Sequence, residues 1–82
     1  MDMNCVIVRR LRNGWGVTQQ GNDWFLAEFS AWEDAFDYAR SIAVAFREAV
    51  VEGEDLYGRV AVRQVLSTDA GGVVSIRSLE VA

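Results

Sequence analysis

The chain has 82 residues and reads as one small α+β domain over residues 1–82, a size at which roughly 60–65% of the unfolded surface can be buried. A net charge of −4 argues against nucleic acid as the main partner, and the absence of histidine removes the commonest general base and metal ligand. Cys5 is the only cysteine, which excludes an intrachain disulfide and fits a reducing cytoplasm; no apolar run is long enough to cross a membrane.

Residues 4–10, Asn-Cys-Val-Ile-Val-Arg-Arg, are rich in β-branched side chains and predict a first strand. In residues 1–10 charge follows the apolar run, so no leader peptide is expected. Asn13-Gly14 is a strong hairpin signal and leads into a second strand over residues 15–19. Gly16 within it points to a close approach or a bulge. After a turn at 20–23, the apolar run of residues 24–29 predicts a third strand.

Residues 30–50 carry the one clear helical pattern. Trp32, Ala35, Phe36, Ala39, Ile42, Ala43, Phe46 and Val50 share a face at i, i+3, i+4 spacing. Ser30 and Glu33 have capping-box spacing, and Gly53 is the expected stop. Residues 51–58 read as an acidic loop, followed by strands over 59–67 and 73–81. Neither face of the last strand is cleanly polar. The expected fold is α+β: an antiparallel sheet in the order β-β-β-α-β-β with one long helix packed across one face.

Few groups suit chemistry. Arg9, Arg10 and Arg12 form a basic cluster near Trp15 and Trp24, an arrangement that can hold phosphate and stack bases, although arginines on a strand end and tryptophans in the core explain it more simply. Glu52, Glu54 and Asp55 could hold a hard cation but lack calcium-loop spacing and read as a solvated loop. Cys5 among Val and Ile reads as a small buried hydrophobe, and Asp34 and Asp37 as solvating groups on the outer helix face. No catalytic residue, cofactor site or metal site is expected.

Gly14-Trp15-Gly16-Val17, together with the helix pattern from Glu33 to Ala43, resembles the small bacterial family known only as domain of unknown function 2188. The likeness covers roughly residues 5–65. It implies a meander of strands, a helix with Ala-x-x-x-Ala-Arg-x-x-Ala and a closing hairpin, and it carries no activity or site residues. Here the Gly53–Gly58 loop and the long fifth strand replace the family's shorter ending. The Trp24 to Phe36 stretch is also similar to HicB-like antitoxin domains, which implies a nucleic-acid-associated regulator.

Hydrophobic residues make up 51% of the chain, generous for so small a body, and some of that surface is expected to meet a second subunit. The expectation is a cytoplasmic, non-enzymatic module that homodimerises and binds another protein. Tyr38, Ile42, Val74, Ile76 and Leu79 are the expected interface residues. The alternative is the antitoxin-type regulator acting through Arg9, Arg10 and Arg12.

Overall fold

The computed structural model describes residues 4–81; residues 1–3, on which the leader argument partly rests, and residue 82 lie outside the described residues. The elements are β1 (Asn4–Leu11), β2 (Gly14–Gln19), β3 (Ala27–Phe29), α1 (Trp32–Ala43), β4 (Glu48–Glu54), β5 (Val60–Thr68) and β6 (Val74–Ser78). The six strands form one sheet in the order β3-β2-β1-β4-β5-β6, with α1 on one face.

The fold is α+β, as expected, but the sheet is mixed. β1 and β4 run parallel at its centre, from Asn4 beside Ala49 to Val8 beside Gly53. The cause is the helix. Tight turns give antiparallel neighbours, whereas the helical crossover after β3 carries the chain back across the sheet past β2, so that β4 enters beside β1 in the same direction. The two hairpins therefore join within one chain, through β4.

The helix is shorter than its pattern suggested. It ends at Ala43, with Val44 as C-cap, so Gly53 is not its stop; Ala31 is the N-cap and no side chain caps the N-terminus, so the Ser30–Glu33 capping box does not form. Residues 48–54 are a strand, not the helix end and acidic loop. Ala49, Val51 and Gly53 are buried beneath the helix while Glu48, Val50, Glu52 and Glu54 alternate with them, which is the two-residue period of a half-buried strand. The third strand is only three residues long, and Trp24 and Phe25 precede it, exposed.

The core lies between α1 and the middle of the sheet. Val6 and Val8 of β1, Trp15 and Val17 of β2, Ala49 and Val51 of β4, and Leu66 of β5 meet Ala35, Phe36, Ala39 and Ala43 of the helix. The three helix alanines are wholly buried, so the helix backbone sits low on the sheet. Gly53 extends that approach: a Cβ there would lie 2.7 Å from Trp32 Cζ2 and 3.1 Å from Phe36 Cε1. Trp32 and Phe36 stack at 4.7 Å above it, and the Trp32 indole N–H donates to the Glu54 carbonyl at 3.1 Å. Gly16 makes room on the opposite face, where a Cβ would come within 2.5 Å of the Phe25 ring.

Gly53→Val should overpack this junction and lower stability by about 1–3 kcal/mol, read as an earlier midpoint in urea unfolding. Ser30→Ala, at a position that caps nothing, should leave the midpoint unchanged within about 0.5 kcal/mol. The opposite ranking of the two variants would contradict the packing described.

Candidate functional site

Strand alternation separates the three arginines. Arg10 pairs with Trp15 across β1 and β2, on the helix side. Its guanidinium lies 5.3 Å from the Trp15 ring centroid, and Nη1 donates to the Gly14 carbonyl at 3.1 Å. Its backbone N–H donates to the Glu54 carboxylate at 2.9 Å. Arg9 points to the other face, beside Gly16, and Arg12 sits exposed in the turn. Arg9 shares an open cavity of about 430 Å³ with Thr18, Asn22, Asp23 and Trp24. Trp15 is core, but Trp24 is 59% exposed, against the expectation that both tryptophans are core. Its main chain is tied down by the Thr18 hydroxyl, which donates to the Trp24 carbonyl at 2.8 Å.

The acidic segment does not gather into one site. Glu52 pairs with Arg63 at 2.6 Å on the helix-free face. Glu54 accepts from Arg10 on the far side of the ladder. Asp55 accepts from the backbone N–H groups of Tyr57 and Arg59 at 2.8 and 3.1 Å, shaping the β4–β5 turn. The bond from Arg59 is the main reason its carboxyl titrates below the ordinary range. Leu56 and Tyr57 at the tip of that turn are strongly exposed, a feature the acid-rich composition of the segment masked. On the helix, Asp37 pairs with Arg40 at 2.6 Å.

Cys5 lies on the helix-free face, next to Val50 in the parallel ladder, with Sγ 3.7 Å from Glu52 Oε1. Burial first, and the Glu52 carboxylate second, push its thiol up from 9.0 to about 11. The groups facing it do not supply the cationic setting that makes a nucleophile.

The expected interface residues fall into two groups. Tyr38 packs on Phe29 of β3 at 5.3 Å, and Ile42 follows four residues later on the same flank of the helix. Both are half-buried, and they border the β3 edge of the sheet. Val74, Ile76 and Leu79 belong to the opposite edge, at β6. One compact patch cannot contain both groups.

The β6 edge is the less finished of the two. The helix covers β1, β2, β3 and β4 and stops short of the last hairpin. Every residue of β6 is exposed, Ile76 by 50%, and Val73 just before it by 61%. On β5, Gln64 Oε1 and Thr68 Oγ1 are buried without a hydrogen-bond partner, on either side of Leu66 and facing the same way as Ile76. The mixed pattern of the last strand, apolar on both faces, was the sequence signal for this edge.

At a pH below 9, a pKa of about 11 against 9.0 leaves about 100-fold less thiolate than in an unperturbed cysteine, so Cys5 should react with a disulfide reagent more slowly by up to that factor. Glu52→Gln should raise the rate, without restoring it fully, because burial is the larger cause. The fold favours the neutral thiol. Its contribution to stability is therefore intact below pH 9.0 and is lost as pH rises toward 11. Rapid labelling at pH 8 in the native protein would contradict this.

Among the described residues no helix is long and apolar enough to cross a membrane, and no group of three or more His, Cys, Asp or Glu is placed to hold a metal ion. Comparison with known proteins finds no matching family model, no similar curated protein and no similar solved structure.

Proposed function

We propose that this chain is a non-enzymatic, cytoplasmic interaction module that homodimerises through the β6 edge and, as a dimer, binds another protein. One observation carries the reading. β6 is a full strand at the rim of the sheet, exposed throughout, with Val74, Ile76 and Leu79 uncovered. Such an edge offers unpaired backbone groups to another strand, and proteins ordinarily shield edges of this kind. The single charge on β6 is Arg77. The other rim, β3, has three residues and is flanked by Phe29 packed on Tyr38, so it offers far less backbone. The carboxylates that could serve an enzyme are engaged instead with Arg63, Arg10 and the β4–β5 turn.

A second reading, a nucleic-acid-associated regulator, draws on Arg9 beside the exposed Trp24 indole, where a cation could hold phosphate and a ring could stack a base. It is the weaker reading, because Arg10 is committed to Trp15 and Gly14 and the net charge is −4. Charge reversal at Arg9 that abolished a salt-sensitive gel shift would favour it.

Light scattering at high-micromolar concentration should give the mass of a dimer. Ile76→Lys should shift it to a monomer while changing the unfolding midpoint, measured at low protein concentration, by no more than about 0.5 kcal/mol. A wild-type chain that stays monomeric removes the dimer reading.

A further inference from the structure

We infer that the partner on the β6 edge is a second copy of this chain, paired antiparallel about a twofold axis at Ile76; this rests on the dimer reading above and specifies its geometry. The argument begins with the direction of the backbone groups. The Asp69 N–H donates to the Val73 carbonyl at 3.0 Å, and the Leu79 N–H donates to the Arg63 carbonyl at 2.8 Å. In an antiparallel ladder such bonding residues alternate. Odd-numbered residues of β6 therefore bond to β5, and the N–H and C=O groups of Val74, Ile76 and Ser78 point outward, away from the sheet.

A second copy must present the same outward groups, which leaves a few registers centred on successive residues. Centring on Arg77 sets two like charges directly opposite each other and is disfavoured. Centring on Ser78 sets Ile76 against Glu80 and Leu79 against Arg77. Centring on Ser75 sets Val73 against Arg77 and runs Leu79 past the strand to Gly71. Centring on Ile76 has none of these faults. Ile76 meets the partner's Ile76 on the helix side of the sheet. Val73 meets the partner's Leu79 on the other side. Arg77 faces the partner's Ser75, and Val74 faces the partner's Ser78, where the outward backbone groups pair. Both faces of the seam thus gain an apolar pair from side chains the single chain leaves exposed on this hairpin, Ile76 on one face and Val73 with Leu79 on the other.

The axis stands perpendicular to the sheet, so it keeps each face on its own side. The two six-stranded sheets become one, with both helices on the same face. The other face then presents both Arg9–Trp24 cavities on one continuous surface. The seam is one short strand from each copy, below the roughly 1,200 Å² typical of stable complexes, so the dimer should dissociate on dilution into the micromolar range.

Disulfide trapping tests the register in full-length protein carrying Cys5→Ser. Around Ile76, Ser75 and the partner's Arg77 form a non-hydrogen-bonded pair with Cα atoms about 4.5 Å apart, within disulfide reach. The double variant Ser75→Cys/Arg77→Cys should therefore give a covalent dimer on mild oxidation at high-micromolar concentration. The single variants should not, because identical positions then lie on a diagonal of about 7–8 Å. Light scattering on the reduced variants reports association separately. A reduced dimer in which Ser75→Cys alone, or Arg77→Cys alone, traps efficiently overturns the register and leaves the dimer standing. A reduced dimer in which no variant traps places the seam elsewhere and overturns the inference. A monomer in light scattering for wild type and variants alike overturns the inference and the dimer reading together.

Discussion

The close approach of α1 to the seam between β1 and β4 is the contact on which the rest of the structure depends. These two strands are parallel, so no turn of their own holds them together; they are joined by β2, β3 and the helix. The helix reaches the seam only because what lies beneath it is small. Ala35, Ala39 and Ala43 are buried in one cluster with Ala49, Val6, Val8 and Val51, and Gly53 lies beneath Trp32 and Phe36. Burial of these side chains pins the crossover and so sets where β4 lies. β4 in turn carries the final hairpin, from Glu48 beside Ser67 to Glu54 beside Val60. A single packing contact therefore decides whether the chain has one sheet or two separate hairpins.

The same contact limits what the helix can cover. A helix of twelve residues is about 18 Å long and, with its side chains, about 10–12 Å wide, whereas six strands spaced about 4.8 Å apart span roughly 24 Å between the outermost axes. Seated on β1 and β4 and leaning toward Phe29, it cannot also shelter β5 and β6. Leu66 still reaches the core, but Ile76, its partner across the ladder, does not. Part of the apolar surplus in the composition thus has a physical location on the hairpin beyond the reach of the helix, while more of it is exposed in loops at Trp24, Leu56 and Tyr57. Of the expected interface residues, Val74, Ile76 and Leu79 lie on this hairpin, while Tyr38 and Ile42 are half-buried on the flank of the helix.

Much of the fold was legible where the cause is local. Asn13-Gly14 marked the first hairpin, the β-branched runs marked β1 and β5, and the glycines at 71 and 72 marked the turn before β6. The parallel pairing had no local signal, because its partners are more than forty residues apart and are matched only by packing. β4 was hidden for another reason. Phe46 and Val50 continue the helical spacing of Phe36 and Ala43, while Ala49, Val51 and Gly53 carry a period of two through the same residues. Both readings fit the stretch, and burial under the helix decides for the strand. The arginines show the same limit on a smaller scale. Adjacent residues on a strand face opposite ways, so a cluster in sequence became Arg10 on the helix side, over Trp15, and Arg9 on the open side.

The open face of the sheet is closed by other means. No helix lies there, yet Ile7 and Val65 are each only 7% exposed. Ile7 sits beside Glu52 in the ladder, Glu52 reaches across to Arg63, and Val65 follows Arg63 two residues later on the same face. Long charged side chains lay their methylene stems over apolar neighbours and keep their heads in water, so the ion pair roofs this part of the sheet. Phe25 does the same over Gly16 from the loop before β3. One face is thus closed by the helix and the other by charged stems and a folded-back ring. What neither reaches is the strand from Val74 to Ser78, which is exposed throughout at the rim of the sheet. In the dimer proposed above, a second copy of the same edge would cover this strand with the residues already there.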